Sequence, residues 1–343
     1  MKRGVLIDSL YINHGGGLHL LHYLIDKLQE KDIEFFLLAD KRCIGDFGNV
    51  KDKLFLPASL RERKRFYKKN RESFDCIVCF ANLPPQIRIT VPVFTYFHNI
   101  NLLTLQESSG IRSWVTQYLK RLFFRSYKNN TDYWVVQTDN TSNELQLHLR
   151  ENMSRILVMP FFDLPSALEE LAIHVPKEHR CDYVFVGDYY GGAKGHNELL
   201  DAWEILHARG VKPNLHLTID VSHREVCHRI DNLKKKGVSI INHGTIPFGD
   251  VIKLYSMSKA TIYPSHNESL GLGIIEAVTA GCDVIGANLP YLHSICFPSG
   301  VFDPYSSLSI ADAVYEYENN MADPSKLKIS NHIDDFINLV VHH

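Results

Sequence analysis

The sequence predicts an α/β protein of two lobes, each a parallel β-sheet covered by helices, with the two sheets facing a central cleft. Three observations support this prediction. The chain has 343 residues, more than one ordinary hydrophobic core holds. Short β-rich runs alternate with helical patterns in both halves, as in parallel sheets. The segment "ILVMPFFDLP" (156–165) separates the halves. In such sheets ligands collect at the carboxyl ends of the strands.

The first half, predicted as a Rossmann-like lobe of residues 1–162, begins with a strand and a glycine-rich turn. Gly15–Gly17 separate the strand "GVLIDSL" from the amphipathic helix "LHLLHYLIDKLQE". Further β-rich runs follow, predicted as strands because of their branched and aromatic residues. They are "EFFLLAD", "FDCIVCF", "VPVFTYFHN" and "DYWVVQT".

The second half repeats this scheme and predicts a second Rossmann-like lobe, residues 163–318. Its helices include "NELLDAWEILHARG" and "FGDVIKLYSMS". Its strands are predicted at "DYVFVGD", "NLHLTID", "VSIINHG", "KATIYPS" and "CDVIGAN". Residues 319–343 remain as a tail, in which "IDDFINLVV" predicts a helix that packs back on the first lobe.

Composition favours a cytoplasmic protein. Hydrophobic residues make up 45% and charged residues 22%, without an apolar run long enough for a membrane span or a secretory signal. Seven scattered cysteines fit a reducing compartment. Cys76 and Cys79 form a CxxC, but in a strand their thiols point to opposite faces, which argues against a metal site. Residues 1–160 carry 23 Lys and Arg against 16 Asp and Glu, and residues 161–343 carry 14 against 23. Two lobes with different partners are expected.

The stretch "HNESLGLGIIEAVTAGCDVIG" (266–286) contains two carboxylates, Glu268 and Glu276, on either side of an uncharged segment. It follows the strand "KATIYPS" and opens a helix, so its loop lies at a strand carboxyl end and a helix N-terminus. Backbone N–H groups there favour phosphate. A carboxylate one to two turns into the helix can accept hydrogen bonds from a ribose diol. The pattern suits a nucleotide diphosphate.

This stretch resembles the E-x7-E signature of GT4-family retaining glycosyltransferases, which have the GT-B fold. Both acids are kept, and so are Gly271, Leu272, Ala277, Ala280, Gly281, Val284 and Ile285. Ser269, Leu270 and Asp283 depart from the usual residues, but Ser269 and Leu270 leave the backbone amides in place.

Other segments resemble the same family in the same order along the chain. Gly16 and Gly17 lie at the position of the family's glycine loop near the donor phosphates. His98 in "FTYFHNIN" corresponds to a histidine that faces the transferred sugar. "VGDYYGGAKGH" keeps the lysine of a diphosphate clamp, Lys194, but has Asp188 where the family has arginine. "VSIINHGTIP" places Gly244 and Thr245, within the turn 243–246, near the nucleotide base.

The resemblance implies transfer of a sugar, with retention, from a nucleotide sugar to a glycan or a polyprenyl-diphosphate-linked saccharide. The resemblance also implies that the protein takes part in bacterial surface-polysaccharide or O-antigen assembly. The implied catalytic residues are His98, Glu268 and Lys194. The implied donor-binding residues are Gly16, Gly17, Lys194, Gly244, Thr245, Ser269, Leu270, Gly271, Leu272 and Glu276. A UDP-sugar is favoured over a GDP-sugar as substrate, and no cofactor is expected. Metal independence is expected because the sequence has no DxD between apolar strands.

Two alternatives remain open. A nucleotide-sugar epimerase would use the same cleft to invert a ring carbon. A non-catalytic protein that only binds sugar nucleotides is suggested by Asp188, which introduces an anion where a leaving diphosphate must be neutralised.

Two basic segments of the first half suggest further partners. Ile111–Lys128 places apolar residues along one helical stripe beside five cations and no acid, which is typical of a helix on an anionic inner membrane. An amphipathic helix packed on the lobe is the alternative. Arg61–Arg71 carries seven cations, a run expected to be solvated or disordered. No nucleic-acid recognition motif accompanies these segments, so nucleic acid is not an expected partner.

Overall fold

A computed structural model of the protein describes residues 4–103, 111–164, 180, 182–189, 191–320 and 322–343. The chain divides into two compact units. The first comprises Met1–Asp163 and Ser330–His343, and the second comprises Leu164–Ile329.

The first unit contains a parallel sheet of seven strands in the order β3-β2-β1-β4-β5-β6-β7. The sheet reverses its order between β1 and β4, and open α/β sheets bind ligands at such a point. The strands are β1 (Val5–Ser9), β2 (Phe35–Asp40), β3 (Lys53–Leu56), β4 (Cys76–Cys79), β5 (Val93–Phe97), β6 (Tyr133–Val136) and β7 (Ile156–Val158). The helices between them are α1 (Gly15–Glu30), α2 (Leu60–Lys69), α3 (Ile111–Tyr127) and α4 (Asp139–Leu149).

The strand β4 confirms the prediction for the CxxC. Cys76 packs in one buried cluster with Val5 and Ile7, whereas Cys79 packs in another with Leu6. The two thiols therefore lie on opposite faces of the sheet, as the alternation of side chains along a strand requires.

The prediction for Arg61–Arg71 was wrong in part, because these residues form most of the helix α2. Phe66 and Tyr67 of α2 are buried, and Arg63 is fully buried. Its Nε donates to the Asp8 carboxylate at 2.7 Å. A buried guanidinium needs a charge partner and acceptors. The charged segment Arg61–Arg71 therefore contains one buried arginine with a structural role.

The second unit contains a parallel sheet of six strands in the order β10-β9-β8-β11-β12-β14. It reverses between β8 and β11. The strands of this sheet are β8 (Asp182–Phe185), β9 (Asn214–Leu217), β10 (Ile240–Asn242), β11 (Ser258–Tyr263), β12 (Asp283–Ala287) and β14 (Gly300–Phe302). Two further strands, β13 (Cys296–Phe297) and β15 (Lys326–Leu327), form a separate pair. The helices are α5 (His196–Ala208), α6 (Arg224–Lys235), α7 (Phe248–Met257), α8 (Leu272–Thr279), α9 (Pro290–Ile295) and α10 (Ser307–Asn319).

The sequence predicts that the second unit ends at residue 318, whereas in the structure it extends to Ile329. The strands β13 and β15 pair antiparallel, Cys296 with Leu327 and Phe297 with Lys326. This pairing ties the segment after α10 to the second unit. A last helix, α11 (Ile333–Val341), then contributes Ile333 and Phe336 to the core of the first unit.

Candidate active site

The polar residues predicted for the second unit lie where β8 and β11 end, at the point where the strand order reverses. A 3-10 turn, Gly191–Lys194, follows β8 and packs against the loop after β11. The His266 backbone N–H donates to the Ala193 carbonyl at 3.1 Å. At Gly195, φ is +67° and a Cβ would lie 2.4 Å from the Pro264 carbonyl oxygen. Only glycine allows the two loops to approach this closely.

Lys194 and Glu268 meet at this junction. The Lys194 Nζ donates to the Glu268 Oε1 at 2.5 Å, and the Tyr263 hydroxyl donates to the same oxygen at 3.3 Å. The Lys194 side chain is 26% exposed and that of Glu268 14%. The structure therefore brings together two of the three predicted catalytic residues. An ammonium has three donors, so Lys194 keeps donors for a ligand.

Glu276 lies in the second turn of α8, behind this pair. Burial raises the pKa of its carboxyl to about 7. Burial, followed by the charges of Glu268 and Glu276 among others, raises the pKa of Tyr263 well above its ordinary value. The charges of both acids of the E-x7-E pattern therefore raise the pKa of the same tyrosine. No hydrogen bond holds the Glu276 carboxylate within the described parts of the chain, which leaves it available to a ligand.

The residues between the two acids lead into α8. Ser269 is half-buried and Leu270 is buried. Gly271 immediately precedes α8, and Leu272 is its first residue. The first N–H groups of a helix have no acceptor inside the helix. The backbone here is therefore placed to donate beside Glu268.

Asp188, at the position of the family's arginine, is held by several donors. It accepts hydrogen bonds from the backbone N–H groups of Tyr189 and Asp220, at 2.9 and 3.2 Å. The His223 Nε2 lies 3.0 and 3.1 Å from its two oxygens. Burial by itself would raise the pKa of Asp188, but these hydrogen bonds lower it.

Gly244 and Thr245 follow β10 and join the same edge of the sheet. The Thr245 hydroxyl donates to Asp220 at 2.7 Å, and the Asn242 carboxamide accepts from the Ile219 N–H at 2.9 Å. The loops after β10, β9 and β8 are thereby linked in a row. Thr245 is exposed and Gly244 is buried.

In the first unit, His98 directly follows β5 and shares a cavity with residues of the loops after β1 and β4. It lines a cavity of about 510 Å³, with Tyr11, Ile12, Gly17, Asn82, Leu102, Phe123 and other residues of this unit. Its Nε2 and the Tyr11 hydroxyl are buried, and neither has a hydrogen-bond partner among the residues that the structure describes. Burial lowers the pKa of His98 to about 4, so the imidazole is neutral at pH 7. Two unpaired polar atoms in one cavity indicate a ligand site.

The two predicted glycines near this cavity differ. A Cβ on Gly17 would lie 2.9 Å from the His98 Cε1, so a side chain here would displace the imidazole. Gly16 is exposed in the first turn of α1, which begins at Gly15 and includes the glycines that the sequence placed before the helix.

Sequence reasoning missed several residues that hold the site. Asn82, with φ +66°, accepts hydrogen bonds from the backbone N–H groups of His98 and Asn99 at 2.7 and 3.0 Å. His223, Asp220 and Tyr263 were missed as well. Their partners are distant in sequence. The one local signal was Asn82 directly after a β-rich run.

The helix predicted at Ile111–Lys128 is confirmed as α3, although the side chains of residues 111–117 and 120 lie outside the described residues. Leu119 is 58% exposed and Leu122 is 41% exposed. Two of its cations donate to carbonyl oxygens of the same unit, Arg121 to Leu103 and Arg125 to His148, each at 2.8 Å. The apolar stripe is therefore partly exposed, and part of the basic face is tied to the protein.

Within the described ranges, no group of three or more His, Cys, Asp or Glu side chains is arranged to hold a metal ion. None of the helices described is both long and apolar enough to cross a bilayer.

The family model for glycosyl transferases group 1 matches residues 169–331. That region is similar to the group 1 glycosyl transferases and makes up slightly less than half of the chain. The match includes the Lys194–Glu268 pair, Glu276 and the Asp188 cluster. No curated protein matches the sequence significantly.

Solved structures extend the similarity to the whole chain at the level of fold. Sucrose-phosphate synthase from Thermosynechococcus elongatus aligns with a TM-score of 0.68 at 13% identity, covering 93% of this chain and 90% of its own. The lipopolysaccharide outer core galactosyltransferase WaaB, in its apo form, aligns with a TM-score of 0.66 at 13% identity, covering 100% of this chain and 95% of its own. HepE from Anabaena, in complex with UDP and glucose, aligns with a TM-score of 0.56 at 13% identity, covering 99% of this chain and 96% of its own. The fold is therefore GT-B.

Proposed function

We propose that the protein is a retaining, GT4-like glycosyltransferase that moves a sugar from a nucleotide diphosphate sugar to a hydroxyl of a glycan or a lipid-linked saccharide. The observation that carries this proposal is the Lys194–Glu268 pair, at the junction of the loops after β8 and β11. It lies in the region that the family model for glycosyl transferases group 1 matches. A cation for a leaving phosphate and a carboxylate for sugar hydroxyls stand side by side there.

The second unit binds the donor in this proposal. Lys194 and the backbone N–H groups from Ser269 to Leu272 contact the diphosphate, since fixed donors stabilise charge that grows in the transition state. Glu268 accepts hydrogen bonds from the sugar hydroxyls. Glu276 accepts hydrogen bonds from the ribose diol, and Gly244 and Thr245 lie beside the base.

The first unit supplies His98, Gly16 and Gly17. The neutral His98 imidazole, with its unpaired Nε2, bonds a hydroxyl of the transferred sugar. Gly17 keeps the space that this imidazole occupies. Gly16 offers a backbone amide to the donor phosphates. The apolar wall of the cavity, including Leu102 and Phe123, is available to the acceptor.

The transfer breaks the bond between the anomeric carbon and the β-phosphate oxygen. The acceptor oxygen forms the new bond on the same face, and its proton passes to the departing phosphate. Negative charge grows on that phosphate, where Lys194 neutralises it. Glu268 and Glu276 do not act as a glycosidase pair in this scheme, because Glu276 is assigned to the ribose rather than to the bond that breaks.

A UDP-sugar is the favoured donor, and surface-polysaccharide or O-antigen assembly is the favoured setting. The fold neighbours support these choices by analogy, since HepE was solved with UDP and WaaB acts in the lipopolysaccharide outer core. A cytoplasmic enzyme with α3 lying on the inner membrane would meet such an acceptor. The exposed Leu119 and Leu122 support this placement. Independence of metal is part of the proposal and is tested by activity in EDTA.

The test incubates the protein with labelled UDP-, GDP-, TDP- and ADP-sugars, with water, saccharide or lipid-linked saccharide as acceptor. Transfer to an acceptor, with retained anomeric configuration by NMR, supports the proposal. An altered sugar without transfer identifies an epimerase. Binding without any turnover, in the presence of every acceptor, identifies a protein that only binds sugar nucleotides.

A further inference from the structure

His223 lies beside Asp188 at the edge of the second sheet. It directly precedes α6, and its Nε2 lies 3.0 Å from an oxygen of Asp188. The Tyr189 ring packs edge-on against it, with ring centroids 5.7 Å apart. A carboxylate on one ring nitrogen fixes the orientation of an imidazole and favours its protonated form. Asp188 therefore positions His223 and lies beside it as a counter-ion.

The other ring nitrogen of His223 remains available. Among the residues that the structure describes, Nδ1 has no hydrogen-bond partner, and the side chain is 31% exposed. With Nε2 bonded to Asp188, the protonated imidazole has one remaining N–H to donate, at Nδ1. A donor of this kind binds an oxyanion by a charge-assisted hydrogen bond.

The charges at this edge call for such a cation. Asp188, Asp220 and Glu268 place three carboxylates on the loops after β8, β9 and β11, whereas Lys194 is already paired with Glu268. A diphosphate brought to this edge meets these carboxylates, so a further cation beside them favours its binding. Asp188 stands where an arginine is expected, and its bound histidine provides a positive charge at the same place.

We propose that His223, held by Asp188, carries the second positive charge for the diphosphate of the donor, so that affinity for the nucleotide sugar falls as this imidazole loses its proton. The inference rests on the proposed function and names a phosphate-binding residue within it. The sequence left the effect of Asp188 open, and in this assignment Asp188 is the orienting partner of a histidine.

The other groups near His223 affect the pH dependence differently. Asp188 and Asp220 are the carboxylates near it, and hydrogen bonds from Ser222 and Thr245 lower the pKa of Asp220 to about 2, so Asp220 stays ionised. His196 of α5 also interacts with His223, but burial lowers the pKa of His196 to about 4, so it stays neutral. Tyr189 contributes an uncharged ring.

Glu276 titrates in the same range, because burial raises its pKa to about 7. Its ionised form accepts hydrogen bonds from the ribose better, so its deprotonation strengthens binding as pH rises. The two effects oppose each other. The contribution of His223 is therefore measured as the difference between the protein and a His223 variant, in which the Glu276 contribution is the same.

The experiment measures dissociation constants by calorimetry from about pH 5.5 to about pH 8.5, a range that spans the ordinary titration of histidine. The probes are UDP-glucose, GDP-mannose, TDP-glucose and ADP-glucose, and the tightest binder is used throughout. Their diphosphates are esterified at both ends, so the charge of the probe stays constant. The proteins are the natural chain, His223→Gln, Asp188→Asn and the control His228→Gln. His228 is exposed on α6 and is hydrogen-bonded to Asn232.

At the lowest pH, His223→Gln is expected to bind at least about fivefold more weakly than the natural chain, and at the highest pH equally. Asp188→Asn should move this transition to lower pH, because the imidazolium loses its anion. His228→Gln should match the natural chain throughout. A ratio between His223→Gln and the natural chain that does not change with pH would overturn the inference while leaving the proposed function intact. Failure of all four probes to bind would overturn both.

A second measurement covers the case in which His223→Gln does not fold. Histidine resonances of the natural chain are followed by NMR during a pH titration, with and without the nucleotide sugar. The His223 resonance should titrate at higher pH when the ligand is bound, because the diphosphate stabilises the imidazolium. An unchanged or lowered midpoint contradicts the proposal.

Discussion

Glu276 holds its carboxyl group in surroundings that oppose ionisation. Burial raises its pKa to about 7, and no side chain in the described ranges bonds to it. A position chosen for stability alone would hold an apolar side chain or a paired acid. The cost of ionising this group in the folded protein is therefore a measurable sign that the position serves a ligand.

Replacing Glu276 by Gln should stabilise the protein above neutral pH. The pKa is raised from 4.5 to about 7 on folding, so the free energy of unfolding of the natural chain falls as pH rises between these values. The loss approaches about 3 kcal/mol above pH 7, where the folded protein must hold the ionised form. Glu276→Gln cannot ionise, so thermal unfolding should show a higher Tm at about pH 8 and a smaller dependence on pH. Equal pH dependence of Tm for both proteins would contradict the raised pKa.

His98 is expected to act in transfer rather than in nucleotide binding. His98→Ala should keep the dissociation constant of the bare nucleotide within about threefold, roughly 0.65 kcal/mol. Transfer should fall about tenfold or more, about 1.4 kcal/mol of transition-state stabilisation, because the contact to the sugar is lost. Binding by calorimetry and initial rates at saturating donor separate the two effects. A stable His98→Ala protein with normal transfer would remove His98 from the site.

At the scale of elements, the clearest periodic and β-rich segments were predicted well. Strands β1, β5 and β11 and the helix α11 lie where the sequence places them. The strand β3, "KLFL", was missed because it lies at an edge of the sheet, is short and begins with lysine. The helix α2 was missed because most of its residues are charged and only one narrow face is buried. Local composition cannot show that one arginine in such a run has a buried partner far away in sequence.

The pairing of α2 with β1 gives a prediction for stability. Arg63 donates to Asp8, and to the carbonyls of Pro84 and Leu83 at 2.8 and 2.7 Å. Arg63→Ala leaves two buried carbonyls without this donor. It also leaves the buried Asp8 carboxylate without its cation, although the Tyr67 hydroxyl still donates to it, so the substitution should lower the free energy of unfolding by about 3–5 kcal/mol. The matched control is Arg65→Ala on the same helix, whose side chain is 59% exposed, with a loss of about 0.5 kcal/mol or less. Urea unfolding measures both, and similar losses would contradict the role of Arg63.

The helix α3 gives a prediction for membrane binding. If its exposed residues contact lipid, Leu119→Ser with Leu122→Ser should reduce sedimentation with anionic liposomes severalfold, because less apolar surface enters the interface. Arg121 and Arg125 are tied to carbonyls, so their replacement by Gln should perturb the unit as well as the binding. Leu147→Ser, at an exposed leucine of α4, is the control. Binding that neither salt nor the double substitution weakens would argue against this surface.

At the scale of the whole molecule, the sequence allowed the GT-B fold to be predicted, and the comparisons confirm it. The acids of the E-x7-E pattern were found because their neighbours follow a local signature. The Asp188–His223 pair and the role of Asn82 were not predicted, because each depends on strands or loops that meet only in the folded sheet. The orientation of Asp188 was left open by the sequence for the same reason.

The central claim is that the carboxyl edge of the second sheet binds a nucleotide diphosphate. Thermal unfolding in the presence of UDP, GDP, TDP or ADP tests it most directly, with the natural chain, Glu276→Ala and the control Glu204→Ala, whose carboxylate is exposed and pairs with Lys236. At least one nucleotide should stabilise the natural chain and Glu204→Ala, by about 2.7 kcal/mol at 100 times its dissociation constant. Glu276→Ala should bind about 1.5–3 kcal/mol more weakly. Absence of stabilisation by all four nucleotides, or equal stabilisation of Glu276→Ala, would contradict the claim.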